Sequence, residues 1–95
     1  MKKFRVTVFV YWKKVCVDPS KKVILEALQR LNPTISGVEI SRRFILAVRA
    51  DDAAGATEVA QKVTDQFLAN HNIEDFEIAG VEEVIEGVKQ PAIAI

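Results

Sequence analysis

The stretch "FRVTVFVYW", residues 4–12, decides the fold because its side chains alternate with a period of two. Successive side chains of a β-strand point to opposite faces of the sheet, so this stretch predicts a strand. The other face of the strand starts with Arg5 and Thr7 but ends with Phe9 and Tyr11, which predicts partial burial on that side as well. The first face is wholly apolar and should belong to the core; its members are Phe4, Val6, Val8, Val10 and Trp12.

A helix should follow this strand in "DPSKKVILEALQRL", residues 18–31. Asp18 is a typical N-cap because a carboxylate can accept hydrogen bonds from the free N–H groups of the first turn. Pro19 suits the first helical position, where a missing N–H leaves no bond unmade. Apolar residues recur at intervals of three and four, which predicts one buried face. They are Ile24, Ala27, Leu28 and Leu31.

Two strands joined by a turn are expected next. "ISGVEIS", residues 35–41, has Val38 and Ile40 two positions apart, and "RRFILAVRA", residues 42–50, is dense in β-forming residues. We expect the turn of this hairpin near residues 41–43. The second strand is apolar on both faces, with Phe44, Leu46 and Val48 on one face and Ile45 and Ala47 on the other.

The remaining elements are a second helix and a last strand. "AAGATEVAQKVTDQFLAN", residues 53–70, should be capped by Asp51 or Asp52 and should stop at Asn70. "IEDFEI", residues 73–78, alternates between acidic and apolar side chains and predicts the fourth strand. The apolar stripe of the second helix consists of Ala56, Val59, Ala60, Val63 and Phe67.

The order βαββαβ predicts an α+β two-layer sandwich of the ferredoxin-like type. Two helices should lie on one face of a mostly antiparallel four-stranded sheet. Residues 1–79 should form this single domain, and residues 80–95 a C-terminal tail. Helical spacing relates Val81, Val84, Ile85 and Val88, so the tail is expected either to hold a short helix and a docking segment or to rest on its own domain.

The second face of the predicted sheet is apolar, and no further helix is long enough to cover it. An exposed apolar face of this kind usually meets a partner, so we expect the chain to form a homodimer or a higher homo-oligomer through it. The residues expected on this face are Phe9, Tyr11, Ile45 and Ala47.

Composition excludes several classes of partner. Thirteen basic residues balance thirteen acidic ones, so no net charge attracts nucleic acid or an anionic membrane. The single cysteine, Cys16, allows neither an internal disulfide nor a paired-cysteine metal site. No run approaches the roughly 18 apolar residues of a membrane-spanning helix. The expected protein is soluble and cytoplasmic, and binds no cofactor or metal.

Candidates for chemistry are few. No glycine-rich phosphate loop and no metal-binding spacing occurs. His71 near Glu74 and Asp75 is the one acid–base candidate, but a polar turn is the favoured interpretation because no nucleophile accompanies it. Arg42 and Arg43 could bind phosphate, although an exposed hairpin turn is the favoured interpretation. We therefore expect no catalytic residue.

Several segments together resemble one family. "FRVTVFV" and "VCVDPSKKVILEALQRL" are similar to the opening of PurS, the small subunit of multi-chain phosphoribosylformylglycinamidine (FGAM) synthase. "VEISRRFILAV" resembles a strand pair of that family, and "FLANHNIEDFEI", residues 67–78, resembles its closing segment most closely. Where the family has proline after Leu-Ala-Asn, this chain has His71. Arg42 takes the place of a lysine, and Lys21 and Ser41 those of glycines.

The resemblance implies a non-catalytic assembly subunit in de novo purine (IMP) biosynthesis. Such a subunit bridges a glutaminase subunit and an ATP-dependent synthetase subunit, and helps to enclose the path of ammonia between them. Arg42 is the best candidate for a contact with these partners. The further residues that match the family's motifs, with expected turn-shaping or interface roles, are Asp18, Pro19, Leu68, Ala69, Asn70, Ile73, Glu74 and Asp75.

An alternative from another class is a small ligand-sensing regulatory domain of βαββαβ type. Such a domain would bind a metabolite at a dimer interface. Binding of a metabolite by the isolated chain separates this hypothesis from the assembly subunit.

Overall fold

The computed structural model describes residues 1–85, which form three strands, two α-helices and one π-helical turn. In chain order the elements are β1 (Lys2–Trp12), α1 (Pro19–Leu31), β2 (Ser41–Ala50), α2 (Ala53–Val63), the π-turn (Thr64–Leu68) and β3 (Glu74–Glu83). Neither helix of this part of the chain is long and apolar enough to cross a membrane.

The sheet has the order β2-β1-β3, and both pairs of strands are antiparallel. The predicted α+β class is confirmed, but the prediction of four strands is wrong. Residues 35–40 have no regular secondary structure and do not join the sheet, and β2 begins at Ser41, so no hairpin turn lies there. The reason is that Ser41 pairs with Tyr11, near the end of β1. Residues before Ser41 have no strand beside them, because the chain turns away after β1 with Cys16 N–H donating to the carbonyl of Lys13 (2.9 Å).

The core lies between the sheet and α2. As predicted, Phe4, Val6, Val8 and Val10 are buried on one face of β1. α2 packs against all three strands, and its buried residues there are Ala56 and Ala60. Alanines at these positions let the helix backbone approach the sheet closely. The other buried apolar residues of the core are Val48, Ala50 and Ala69.

α1 stands apart from this core, which the sequence did not predict. Asp18 caps it as expected, with its Oδ1 accepting from Ser20 N–H (2.9 Å). No residue of α1 is buried, however, and Ile24 is 41% and Leu31 84% exposed. The prediction of a buried face on α1 is therefore wrong. The helix is held instead to residues 35–40, with Lys21 Nζ 3.2 Å from Glu39 Oε1 and the Gln29 side-chain amide donating to the Ile35 carbonyl.

The π-turn changes which side of the second helix faces the core. A π-turn inserts one extra residue, so residues beyond it are rotated relative to a regular helix. The Ala69 N–H accordingly donates to the Thr64 carbonyl five residues back (3.0 Å). Thr64 and Ala69 are buried, whereas Phe67 is 83% exposed. Of the predicted stripe only the two alanines are buried, since Val59 and Val63 are partly exposed too.

β3 extends further than the sequence predicted. It runs to Glu83, and Val84 N–H still donates to the Lys3 carbonyl (2.8 Å). Residues 80–83 are therefore strand, and the helix expected from the spacing of Val81 and Val84 does not form there. The rest of the predicted tail, residues 86–95, lies outside the described residues. The division into domain and tail remains a prediction.

Candidate protein-interaction surfaces

The segment "LANHNIED", residues 68–75, forms a compact turn around Asn70. The Asn70 carbonyl accepts hydrogen bonds from the N–H groups of Ile73 (3.0 Å) and Glu74 (2.7 Å). Its side-chain Oδ1 accepts from Asn72 N–H (3.1 Å). The helix itself ends one residue earlier than expected, since Ala69 is its C-cap with extended backbone. Asn70 therefore shapes the turn into β3 rather than ending the helix.

Glu74 holds this turn against the neighbouring strand. Only 8% of the residue is exposed, and both carboxylate oxygens are bonded. Oε1 accepts from Asn70 N–H (2.9 Å), and Oε2 lies 2.6 Å from Nη2 of Arg42. The Arg42 guanidinium also lies 5.5 Å from the ring centre of Phe44. Arg42, our best candidate for a partner contact, is thus engaged within the chain by one end of its side chain, which is 55% exposed.

His71 is tied to the π-turn rather than to Glu74. Its Nε2 lies 3.0 Å from Asp65 Oδ1, and the same nitrogen contacts the Asp65 carbonyl. The Cys16 thiol lies 3.9 Å from the carbonyl oxygen of Asn72. The His71 side chain therefore stabilises an exposed turn. It does not pair with Glu74, because both carboxylate oxygens of Glu74 are bonded to other groups.

Five of the predicted site residues line one cleft of about 430 Å³. It lies beside the end of β1 and the start of α1, and the five are Tyr11, Asp18, Pro19, Arg42 and Glu74. Its charged groups already have partners, because Asp18 caps α1 and Arg42 pairs with Glu74. Its other lining residues are largely apolar or aromatic, among them Val10, Trp12 and Ile40. Such walls suit an apolar side chain of another protein.

The sequence did not predict that Trp12 and Ile40 would line this cleft. It assigned Trp12 to the core from the strand alternation, and Ile40 to a strand that does not form. Both positions follow from where β1 ends, which periodicity alone does not fix. The remaining predicted residues are distributed over the turn, the core and the sheet. Leu68, Asn70 and Ile73 lie in the turn, Ala69 in the core, and Phe9, Ile45 and Asp75 on the sheet.

The sheet face opposite α2 is here called the open face. We define it as the outward residues of the three strands, from Ser41 to Arg49 on β2, from Lys3 to Tyr11 on β1, and from Asp75 to Glu82 on β3. The predicted apolar residues Phe9 and Ile45 are half-buried on it, and Tyr11 and Ala47 are exposed. Arg5 also belongs to this face, and its Nη2 lies 2.6 Å from Glu82 Oε2.

Among residues 1–85, no group of three or more His, Cys, Asp or Glu side chains is arranged to hold a metal ion. The two surfaces above therefore offer apolar area flanked by charge. They contain no assembled set of metal ligands in the described part of the chain. Apolar area flanked by charge suits a contact with another protein.

Comparison with known proteins identifies the fold and the family. A family model described as PurS, phosphoribosylformylglycinamidine (FGAM) synthase, matches residues 5–82. Bacillus subtilis PurS is 26% identical with a TM-score of 0.73, and the alignment covers 84% of this chain and 99% of that one. None of the curated proteins matches the chain.

Two more solved structures share the fold at lower identity. Methanocaldococcus jannaschii PurS, described as one of the subunits of formylglycinamide ribonucleotide amidotransferase in the purine biosynthetic pathway, has a TM-score of 0.75 at 24% identity, covering 86% of this chain and 99% of that one. A chain of PurLQS from Thermotoga maritima has a TM-score of 0.75 at 22% identity, covering 88% of this chain and all of that one. Because the family model spans most of its length, the chain belongs to the PurS family of FGAM synthase subunits.

Proposed function

We propose that this chain is a non-catalytic assembly subunit of the FGAM synthase complex in purine biosynthesis. The observation that carries the proposal is the family match over residues 5–82. The geometry supports it, because the one acid–base candidate region is a turn whose buried carboxylate is bonded on both oxygens. A residue held in this way stabilises the fold and is poorly placed to exchange protons with a substrate.

The subunit bridges a glutaminase and an ATP-dependent synthetase in this proposal. A chain with the same fold occurs in PurLQS from Thermotoga maritima. The cleft at the end of β1 and the open face meet at Tyr11. The cleft also includes Val10 and Arg42, which pair with each other on the opposite side of the sheet, so the two surfaces extend in different directions. Two separate surfaces are what a bridging subunit requires.

In this proposal, the chemical role of the subunit is to assist the transfer of ammonia between the two active sites. Ammonia released from glutamine is protonated in water at neutral pH and then no longer acts as a nucleophile. Enclosing its path between two active sites prevents that loss. A small subunit that orders two larger ones contributes to this enclosure without supplying a reacting group. We place the subunit in the cytoplasm, as a homodimer or a higher homo-oligomer.

Reconstitution with the glutaminase and synthetase subunits of the same organism tests this function. The glutamine-dependent rate of amidine formation should fall when the chain is left out. The rate with ammonium salt in place of glutamine should stay nearly unchanged, because free ammonia bypasses the transfer step. An equal glutamine-dependent rate with and without the chain would refute the proposal.

The same samples test the regulatory alternative. If the isolated chain is thermally stabilised by one metabolite of a panel, and has no effect on the glutamine-dependent rate, a ligand-sensing domain is the better description. Binding raises the melting temperature of whichever folded state takes the ligand.

A further inference from the structure

Three cavities lie side by side where the chain passes from β1 into α1. The first is the cleft of about 430 Å³ at the end of β1. It shares Trp12 and Asp18 with a second cavity of about 240 Å³, and Pro19 with a third of about 370 Å³. Val23 and Ile24 line the third cavity. The three cavities together are here called the α1 groove, because residues at the start of that helix line each of them.

The second cavity carries positive charge that the described part of the chain does not neutralise. Its lining includes Lys13, Lys14 and Lys21. Lys21 Nζ pairs with Glu39 Oε1 at 3.2 Å, and the other carboxylate of this lining, Asp18, caps α1. Among residues 1–85, neither Lys13 nor Lys14 forms an ion pair. One end of the α1 groove is therefore basic.

The open face differs from this groove because it carries both signs of charge. Arg43 and Arg49 lie on β2, at one edge of the sheet, and Asp75 and Glu77 lie on β3, at the other edge. All four are exposed. A face that offers both signs does not select a partner by the sign of its charge. The α1 groove does, since its unpaired charges are both positive.

Exposed aliphatic side chains border the same groove. Val15 and Val17 belong to the loop that contributes Lys13 and Lys14, and they are 91% and 80% exposed. Val23, in the third cavity, is exposed as well. A single exposed apolar residue is ordinary on a protein surface, but several around one groove indicate a binding site for another protein. A small phosphorylated ligand would contact the lysines and leave these aliphatic side chains in water.

We propose that the α1 groove binds an acidic segment of another protein chain. The carboxylates of that segment lie beside Lys13 and Lys14, and an apolar side chain next to them enters the cleft. This proposal rests on the proposed function, because it takes the partner to be the glutaminase or the synthetase subunit. It adds the surface, the chemistry of the segment and the direction in which the segment lies.

The cleft suits the apolar side chain because its own charges are satisfied within the chain. Arg42 pairs with Glu74, and Asp18 caps α1. Trp12 and Ile40 line both the cleft and the basic cavity, so the apolar contact and the charged contact are adjacent. Apolar and aromatic residues at the centre with charged residues beside them are the usual composition of an interface.

The order of the cavities fixes the order of the contacts. The basic cavity and the cavity at Val23 share no lining residue, and the cleft lies between them. A bound segment therefore presents its carboxylates at one end and apolar side chains in the middle and at the other end. In such an interface the exposed charges mainly speed association and select the partner, whereas the buried apolar contacts supply most of the affinity.

Binding of the full chain to each larger subunit tests the proposal. Titration calorimetry at low and at high ionic strength measures the dissociation constant with the glutaminase subunit, with the synthetase subunit and with their mixture. The variants are Lys13→Glu, Lys14→Glu and Val23→Ser. Their matched controls are Lys62→Glu and Val59→Ser, since both of these residues are exposed on α2 and line none of the three cavities.

Each lysine reversal should raise the dissociation constant for one of the subunits by roughly tenfold at low ionic strength, because an attractive pair becomes repulsive. The increase should shrink at high ionic strength, since salt screens exposed charges. Val23→Ser should raise the same constant by about threefold to tenfold at both ionic strengths, because an apolar contact is not screened. Both controls should stay within about twofold of the unchanged chain.

Cys16 offers a second measurement that needs no substitution. It is the one cysteine of the chain, it is half-buried, and it lines the basic cavity. Alkylation of its thiol by iodoacetamide should slow several-fold when the partner subunit is bound, because the acidic segment covers this cavity. The mass of the intact chain separates this reaction from alkylation of cysteines in the partner.

Other results would overturn the proposal. A chain that binds neither subunit nor their mixture has no such interface. Lysine reversals that match Lys62→Glu, or an unchanged alkylation rate of Cys16 in a complex that does form, would place the contact elsewhere. If ATP or inorganic phosphate raises the melting temperature of the unchanged chain but not of Lys13→Glu, and no subunit affinity depends on Lys13, the groove is a phosphate site instead. Circular dichroism of each variant checks the fold.

The outcome is separable from that of the proposed function. If the lysine reversals leave every affinity unchanged while the glutamine-dependent rate still requires the chain, the assembly function stands and the groove is not its docking surface. If the reversals weaken binding as expected while the rate does not depend on the chain, the docking surface stands and the function fails.

Discussion

At the scale of single residues, Glu74 has the largest structural role among the residues that match the family's closing segment. Its carboxylate joins the turn at Asn70 to the start of β2 at Arg42. A buried carboxylate that loses its hydrogen bonds is costly, whereas an exposed one is not. The segment that matches the family's closing residues therefore stabilises the fold and also forms part of the surface.

Replacing Glu74 with glutamine tests this role. The side chain keeps its size but loses its charge, so its bond to the Arg42 guanidinium weakens. We expect the free energy of unfolding in urea to fall by about 1–2 kcal/mol. Glu77→Gln on the same strand is the control, since Glu77 is exposed, and it should change stability by less than about 0.5 kcal/mol. Equal effects at the two positions would contradict the role given to Glu74.

Thr64 gives a prediction of the opposite sign. It is the first residue of the π-turn and is fully buried, and its Oγ1 has no hydrogen-bond partner among residues 1–85. Valine has the same shape without the hydroxyl, so Thr64→Val should stabilise the protein by about 1 kcal/mol in urea unfolding. Thr57→Val is the matched control, because the Thr57 hydroxyl donates to the Ala53 carbonyl (2.9 Å). A loss of stability at Thr64 would show that the hydroxyl is bonded in solution.

At the scale of elements, the sequence patterns correctly predicted the features that depend only on residues close together in the chain. The period of two in β1 and the caps at Asp18 and Asp52 are all present, with Asp52 Oδ1 accepting from Gly55 N–H (2.8 Å). The predicted strand at residues 35–40 does not form because a strand needs a neighbouring strand, and β1 has already ended at that level of the sheet. The prediction of a buried face on α1 is wrong because periodicity shows that a helix is amphipathic but does not show which surface its apolar side contacts.

The π-turn is a further feature that local sequence patterns did not predict, and the exposure of Phe67 shows its effect. In an unbroken helix Phe67 would share a face with Ala60 and would be core. The extra residue in the turn leaves it 83% exposed instead. Phe67→Ala should therefore change the free energy of unfolding by less than about 0.5 kcal/mol.

The matched comparison is Phe4→Ala, since Phe4 is 4% exposed in the core. That substitution should cost about 3–5 kcal/mol. Urea unfolding of the two variants side by side checks both values. A cost at Phe67 that approaches the cost at Phe4 would mean that the π-turn does not persist in solution.

At the scale of the whole molecule, the twelve predicted site residues were assigned to interfaces without their positions in space. The structure separates them into the cleft, the turn, the core and the open face. The segregation of charge across the open face was not predicted, because it depends on strand order: Arg43 and Glu77 become neighbours of Phe9 only when β1 lies between β2 and β3. A sequence with the same residues in another strand order would not carry this pattern.

Coupling between assembly and stability follows from the homo-oligomer proposed for this chain. Residues 1–85 bury nine apolar residues in the core, and α1 lies outside that core. Anything that binds only the folded state stabilises it in proportion to the logarithm of its concentration. In the proposed homo-oligomer, the melting temperature should therefore rise by a few degrees between micromolar and submillimolar chain.

Scanning calorimetry over a dilution series measures this concentration dependence. Each folded subunit acts as a ligand of the other, so only an assembly that forms within the concentration range changes the melting temperature. A melting temperature that stays constant over the whole series would contradict a homo-oligomer in this range, while reconstitution with the glutaminase and synthetase subunits would still test the assembly function.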